Sequence, residues 1–548
     1  MHRTLAAARA WLADDPDPET RASLQNLLSA AEGGDAGAGA ELVSAFAGPL
    51  TFGTAGLRGA MGPGPARMNR LVVGQAAVGF GEWLARQGLA GGQVIVGFDA
   101  RHKSREFALE TARLLAGRGF RPVLTEDPAP TPVVAFGIRH LGCVAGIVVT
   151  ASHNPPQDNG YKVYLGDGSQ IIPPADAEIE ACIREIEIAS LATLPRSDDF
   201  RTIGAELLAE YVAHAVTLVP DDAPRDLVWV HTAMHGVGAG PMRAVALAAG
   251  FPAPAEVAEQ AAPDPDFPTV AFPNPEEAGA IDLALARAEA VAADVVVAND
   301  PDADRCAVAA VVDGGWRMLT GDELGGLLGH YALDRGVEGV YANSVVSSTL
   351  LRSMALAAGR EHRTTLTGFK WIGRVPGLGF GYEEAIGYCC DPGAVPDKDG
   401  LTAGLFVLRL VAELKAAGLT LQDRLDEIAA TYGLHATSQL SVRVERLQEI
   451  ADAMARLRAN PPAALLGEPV RVDDLASGSA ELPATDAVEL TGARVHVVVR
   501  PSGTEPKLKC YLEVRFTPEE SADGAAARVR GAEQLAVLRD EMARVLGI

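Results

Sequence analysis

Positive charge is scarce in this sequence. Only 47 Lys and Arg stand against 71 Asp and Glu, a formal net charge of −24 over 548 residues. Such an excess of acid repels phosphate backbones over long range, which argues against a nucleic-acid partner. An anionic small substrate would need a local basic pocket. A disulfide framework is also missing: the six cysteines, at 143, 182, 306, 389, 390 and 510, form no CxxC pair, and a chain this long needs no covalent staples. No apolar run reaches about 18 residues without a charge or a turn, so no membrane span is expected. The opening MHRTLAAARAWLADDPDPETR turns acidic after one short amphipathic stretch and lacks an apolar core with a cleavage site, so it reads as neither signal peptide nor anchor. A folded cytoplasmic protein of a reducing compartment is expected.

What is present is apolar surface to bury, with 48% hydrophobic and 22% charged residues. At about 150 residues per domain the length suggests three or four domains. Three segments share one design: QVIVGFDA (93–100) before REFALETARLLAGRGF, DLVWVHTAMHGVGAGP (226–241) before MRAVALAAGF, and GVYANSVVSS (339–348) before TLLRSMALAAG. Each is a β-rich run, a polar or Gly-rich turn, and an apolar stripe at helical spacing that stops at Gly. They predict three related mixed α/β domains, although one large sheet sampled three times would give the same pattern. The last quarter differs. SQLSVRVE (438–445), RVHVVVRPSG (494–503) and KLKCYLEVRFT (507–517) alternate like strands of a half-exposed sheet, with a final helix near 525–546, which predicts a C-terminal α+β domain. The expected domains are 1–200, 201–318, 319–436 and 437–548.

Four stretches carry chemistry. In VVVANDPDADR (295–305) a β-branched run ends on Asp300, Asp302 and Asp304. In an extended segment these alternate positions face one way, and three carboxylates together call for a hard cation, Mg²⁺ or Ca²⁺. Asp/Asn/Pro clusters also form solvated turns. GIVVTASHNPPQDNGYK (146–162) is a buried strand that puts Ser152 and His153 past its C-terminal end and stops on Lys162. Open α/β sheets place ligands there, though a turn serine is more often a turn former or a cap. VVVRPSGTEPKLKCYLEV (497–514) offers Arg500, Ser502, Gly503, Thr504 and Lys507, a guanidinium fork and a close backbone suited to phosphate; plain hairpin chemistry is the alternative. GFGYEEAIGYCCDPGAVPDKDG (378–400) carries Glu383 and Glu384, a pair suited to vicinal sugar hydroxyls, or an ordinary polar helix start.

In this order the four stretches resemble the α-D-phosphohexomutase superfamily of phosphoglucomutases, phosphomannomutases and relatives. TASHNPPQDNGYK is similar to its phosphoserine loop, DPDADR to its metal loop, GYEEAIGY to its sugar loop and RPSGTEP to its phosphate loop. TFGTAGLRGAMGPGPARMN (51–69) is similar to its N-terminal segment. The resemblance implies an active site in a central cleft between domains and a phosphoserine at Ser152. Mg²⁺ is implied on Asp300, Asp302, Asp304 and the phosphoryl oxygen of Ser152. Arg58, Lys162 and Arg305 are expected around the transferring group, with His153 or Lys162 moving the proton. Lys370, Glu383, Glu384 and Tyr388 are expected at the sugar, and Arg500, Ser502, Gly503, Thr504 and Lys507 at its phosphate. The implied activity moves a phosphoryl group between the C1 and C6 (or C5) hydroxyls of a small-molecule sugar phosphate through a sugar bisphosphate, which also activates the enzyme. Phosphoglucomutase or phosphomannomutase activity is the first expectation and phosphopentomutase the alternative. A metal-dependent phosphatase using Ser152 would need neither a phosphate clamp nor a sugar loop.

One departure bears on the substrate. Hexose-phosphate mutases carry Gly-Glu-x-Ser-Gly-His in the sugar loop, whereas this chain has Glu384, Ile386 and Tyr388 at the three polar places. That version resembles the branch with phosphopentomutase and sugar-bisphosphate synthase activities.

Overall fold

The computed structural model describes residues 1–53, 56–444, 446–502 and 507–548. They fall into two compact units, Met1–Ala223 with Val228–Cys306 and Gly393–Leu405, and Pro224–Leu227 with Ala307–Pro392 and Phe406–Ile548.

In the first unit a six-stranded sheet has the order Leu57–Ala60, Asp158–Leu165, Ala145–Val149, Gln93–Phe98, Arg121–Thr125, Arg201–Ile203. The last four strands are parallel, and the first two are antiparallel to their neighbours. Ala145–Val149 is buried along its whole length, as expected of an unbroken apolar run at the centre of a mixed sheet covered on both faces. Helices Ser104–Gly117 and Thr131–His140 pack on this strand and on Gln93–Phe98. Three N-terminal helices, His2–Asp14, Pro18–Glu32 and Ala36–Ala45, add Trp11, Leu24, Leu28 and Leu42 to the same core. Asp17 and Asp35 cap the second and third of these by accepting from the amides of Glu19 and Ala38. A separate group of parallel strands centres on Trp229–Thr232, flanked by Ala255–Glu256 and Val295–Asn299.

The second unit includes, from Ala307 onward, the antiparallel hairpin of strands Cys306–Val312 and Gly315–Met318. Its four-stranded sheet has the order His362–Thr365, Val340–Ser344, Leu378–Glu383, Gly387–Cys389, with only the last strand antiparallel. Helix Gly321–Asp334 starts with a capping box between Thr320 and Glu323. Glycine is required at its first position, because a Cβ on Gly321 would fall 1.8 Å from the Glu384 carbonyl oxygen. The C-terminal sheet is antiparallel throughout, in the order His435–Arg443, Lys507–Arg515, Val495–Pro501, Val488–Thr491, Arg471–Asp474. Leu490, Val497, Val499, Cys510 and Leu512 of this sheet share a core with Leu457 of helix Leu447–Ala459 and Leu538 of helix Gly524–Leu546.

The three strand-turn-helix segments lie in three different sheets, so the single-sheet alternative is excluded. The architecture is three α/β domains followed by a C-terminal domain with an antiparallel sheet. Among the described residues no helix is long and apolar enough to cross a membrane.

Candidate active site

Strand Ala145–Val149 delivers the chain to Ser152, whose φ of 52° lies in the left-handed region that costs a non-glycine residue about 1–3 kcal/mol. The surroundings hold it there. The Ser152 amide donates to Thr150 Oγ1 at 2.8 Å. Arg101 Nη2 donates to the carbonyl oxygens of Ser152 and Asn154, both at 2.5 Å, while Nη1 donates to those of Pro155 at 2.8 Å and Asp158 at 3.3 Å. Arg101 itself is buried, ion-paired to Asp99 at 3.4 Å and 4.9 Å over the Phe267 ring. Arg58 donates to Asn154 Oδ1 at 3.0 Å. Ser152 is only 2% exposed, so the loop folds the serine inward.

The hydroxyl points to the second loop. Ser152 Oγ donates to Asp300 Oδ2 at 2.6 Å, and His153 Nδ1 lies 3.3 Å from Ser152 Oγ. Asp300, Asp302 and Asp304 are fully buried, with ligand oxygens within 4.8 Å of one another. They do not alternate along an extended strand, as their spacing suggested. Strand Val295–Asn299 has ended, and a turn over 301–303, with Ala303 at φ 55°, gathers the carboxylates. Lys162 Nζ bridges Asp302 Oδ2 and Asp304 Oδ2 at 2.7 Å each, Thr131 Oγ1 donates to Asp302 Oδ2 at 2.6 Å, and Lys398 Nζ lies 3.4 Å from Asp304 Oδ2. The Arg305 amide donates to Asp300 Oδ1 at 3.0 Å, and its Nε lies 3.8 Å from Asp304 Oδ1. Helix Gly400–Ala416 approaches this loop because Gly400 has no Cβ, which would sit 2.2 Å from the Arg305 carbonyl oxygen.

These charges set one another's protonation. Burial, then the neighbouring Asp302 and Asp304 carboxylates, push Asp300 well above the usual range. Burial also acts to raise Asp302, but the Lys162 ammonium overcomes it and holds Asp302 low. Burial works against the Lys162 charge, yet Asp302 and Asp304 win and raise it. His153 is pushed well below its ordinary value by burial, then by Arg305 and Arg58. Oδ1 of Asp302 and Oδ1 of Asp304 are buried without a hydrogen-bond partner. Three converging carboxylates, two of them with a bare oxygen, fit a hard divalent cation such as Mg²⁺.

The second unit holds the remaining residues. Glu383 ends strand Leu378–Glu383 and is buried. Glu384 Oε2 accepts from Ser344 Oγ at 3.1 Å and Ser347 Oγ at 3.2 Å, so the β-turn serines fix its carboxylate. Lys370 lies on the short helix Phe369–Ile372. Arg500 sits near the end of strand Val495–Pro501, opposite Lys509. Burial, then Glu384, push the Tyr511 hydroxyl far up while Arg500 opposes them, so both charged residues act on one tyrosine. The Ser502 amide donates to the Lys507 carbonyl at 2.8 Å. Gly503 and Thr504 lie outside the described residues.

Tyr388, expected at the sugar, has no exposed surface, donates to the Gly321 carbonyl at 3.1 Å and stacks on Tyr382. Ile386 is equally buried. Tyr388 lies in the antiparallel return strand Gly387–Cys389 opposite Tyr382, and Ile386, at φ 53°, lies in the turn before it.

Sequence reading passed over Arg101, Thr131 and Lys398. The signal for Arg101 was the polar turn after QVIVGF, at the end of a parallel strand. Lys398 stood in the DKDG that closes the quoted sugar-loop stretch. Neither spacing reveals that a residue about 50 to 100 positions away folds onto Ser152 or Asp304.

The match to known proteins covers most of the chain. Residues 49–189, 209–312 and 320–432 match the phosphoglucomutase/phosphomannomutase α/β/α domains I, II and III, and residues 440–531 match the C-terminal domain of the same family. A "Probable phosphomannomutase" of Haemophilus influenzae is 43% identical, covering 84% of this chain and 96% of its own. The phosphopentomutase of Homo sapiens is 36% identical, covering 93% and 91%. A crystal structure from Thermus thermophilus superposes with a TM-score of 0.69 at 28% identity, covering 89% of this chain and 99% of that one. The serine-aspartate contact thus sits in a four-domain framework shared along its length with enzymes that shift phosphate on sugars, and the chain belongs to the phosphoglucomutase/phosphomannomutase family of phosphosugar mutases within the α-D-phosphohexomutase superfamily.

Proposed function

We propose that the chain moves a phosphoryl group between the C1 and C6 hydroxyls of glucose phosphate or mannose phosphate, with Ser152 as the carrier. The supporting observation is the 2.6 Å hydrogen bond from Ser152 Oγ to Asp300 Oδ2, inside a site where Lys162, Lys398, Arg58 and Arg305 gather in a chain of net charge −24. That is the local basic pocket an anionic substrate needs. Phosphoryl transfer depends on positioning and charge stabilisation, and these residues supply both.

In the first step the Ser152 O–P bond breaks and a bond from phosphorus to the free sugar hydroxyl forms. His153, which burial keeps neutral, can accept that hydroxyl's proton, while Lys162, held charged by Asp302 and Asp304, can only donate one. Arg58, Lys162 and Arg305 offset the charge on the moving group. Mg²⁺, held by Asp300, Asp302 and Asp304, supplies Lewis-acid stabilisation of phosphoryl oxygens when bound. Arg500, Ser502 and Lys507, with Gly503 and Thr504, are assigned to the sugar's resident phosphate. Glu383, Glu384 and Lys370 are assigned to the ring. The resulting sugar bisphosphate turns end for end and returns its other phosphate to Ser152, and the same bisphosphate activates an unphosphorylated chain.

A second reading, transfer between C1 and C5 of ribose phosphate, is favoured by the buried Ile386 and Tyr388, which leave the sugar loop without two polar groups for a hexose ring. Steady-state kcat/KM for glucose 1-phosphate, mannose 1-phosphate and ribose 1-phosphate decides. The proposal expects a hexose to exceed ribose by about tenfold or more, a difference of about 1.4 kcal/mol in transition-state binding. The reverse ratio selects the second reading. Full turnover by Ser152→Ala would overturn both.

A further inference from the structure

The C-terminal sheet turns one face to the helices Leu447–Ala459 and Gly524–Leu546, and its other face is banded. Along neighbouring strands the cross-strand pairs on that face run Arg500 with Lys509, then Val498 with Tyr511, then His496 with Glu513. The first band belongs to the proposed phosphate loop. The second joins an apolar cluster with Val345, Val346, Leu475, Leu482 and Ala487. The third is polar again, continuing across the sheet from His496 to Thr491 and Arg471. Arg500 and His496 are four residues apart on one strand, about 13 Å at the usual rise. An apolar band therefore separates two polar ends of one face.

Over the third band lies a cavity of about 450 Å³, lined by Arg352, Arg471, Arg515, His362, Thr491 and Glu489 among others. Three arginines and one glutamate line it, in a chain whose overall charge is strongly negative. That carboxylate is already matched, since His496 Nε2 lies 2.8 Å from Glu489 Oε1. Arg471 is paired with Asp473 at 2.8 Å, but other donors are not used up. Arg515 Nη2 is anchored on the Gly492 carbonyl at 2.5 Å and the Val495 carbonyl at 3.2 Å, while its Nε is buried without a partner, as is Thr491 Oγ1. Arg352 lies close enough to Glu489 and His362 to act on both electrostatically. Buried donors without acceptors are costly, and a phosphate oxygen set matches guanidinium forks.

We propose that this cavity is a second phosphate site, distinct from the transfer site, that binds a small phosphomonoester. Its volume is within the range for small-molecule sites. Its wall includes Ser344 and Ser347, the hydroxyls that hold Glu384, so an occupant adjoins the support of the sugar loop. The inference concerns binding alone and does not depend on which sugar is the substrate.

Equilibrium dialysis of the full chain with labelled glycerol 3-phosphate, and in parallel with inorganic phosphate, tests it. Arg500→Ala should abolish binding at the proposed phosphate loop and leave a remaining site for glycerol 3-phosphate. Adding Arg352→Ala should weaken that remaining site at least about tenfold, with the melting temperature unchanged. Thr491→Val, which keeps volume and removes the hydroxyl, should weaken it too and guards against misfolding of the arginine variant. Unchanged glycerol 3-phosphate binding in Arg352→Ala and in Thr491→Val would overturn the site. Tighter binding of inorganic phosphate than of glycerol 3-phosphate would overturn the assignment to a phosphomonoester.

Discussion

Nη2 of Arg101 lies 2.5 Å from the carbonyl oxygen of Ser152, so a buried guanidinium fixes the backbone of the residue proposed to carry the phosphoryl group. The same side chain takes three more carbonyls of the loop, those of Asn154, Pro155 and Asp158. An ammonium cannot reproduce that planar fork. Arg101→Lys should lower kcat about 100-fold while changing KM less than about threefold, because misplacing a nucleophile acts on the transition state. Mass spectrometry after incubation with glucose 1,6-bisphosphate should show reduced phosphate on Ser152. A normal kcat with only a lowered melting temperature would remove the positioning role.

Asp302 carries the bare Oδ1 and, through Oδ2, the hydrogen bonds of Lys162 and Thr131. Asp302→Asn keeps the shape but removes a charge from the cation site. The Mg²⁺ concentration for half-maximal activity should rise at least about tenfold, and kcat should fall about 100-fold, since the charge acts on the transferring group. Mg²⁺ titration of activity, beside circular dichroism to verify folding, checks this. An unchanged Mg²⁺ requirement would place the metal elsewhere.

Asp322 accepts hydrogen bonds from the Ser348 amide at 2.7 Å and the Tyr382 hydroxyl at 3.0 Å. Burial pushes its carboxyl up to about 7, against the opposing Ser348 amide. The folded chain thus holds this proton more tightly than the unfolded chain does. The associated stabilisation is complete below about pH 4 and is lost as pH rises through about 7. Between pH 5 and 8 the wild type should lose on the order of 1–3 kcal/mol relative to Asp322→Asn, which cannot ionise. Urea denaturation of both proteins at the two pH values measures the difference, and parallel pH profiles would rule it out.

Tyr388 donates to the Gly321 carbonyl and is closed off from solvent. Tyr388→Phe should cost about 1 kcal/mol of stability for one buried hydrogen bond, with the ratio of hexose to pentose kcat/KM unchanged within about twofold. A tenfold change in that ratio would return Tyr388 to the sugar.

The acid cluster and the serine that meets it were legible as separate candidates because each is written locally. Asp300, Asp302 and Asp304 lie within five residues of one another, and Ser152 directly follows an unbroken apolar strand. The strand-turn-helix repeats and the alternating C-terminal strands were legible for the same reason, since periodicities of 3.6 and 2 are properties of short windows. What depends on a turn's path was not legible. The carboxylates converge through a left-handed Ala303 instead of strand alternation, and Tyr388 points inward because the return strand's register puts it there.

The sequence by itself determined the kind of domains, the acidic net charge and the cluster of three acids at 300–304, all set by residue type and short spacing. Only the tertiary structure decided that Lys162 bridges Asp302 and Asp304 across about 140 positions, that Arg101 seats on the Ser152 loop, and that the polar face of the last sheet is split by an apolar band. The reason is physical. A side chain's partner across a fold is chosen by which strands pair and which carbonyls are left without donors once the core closes, and neither is written in the residues on either side of it.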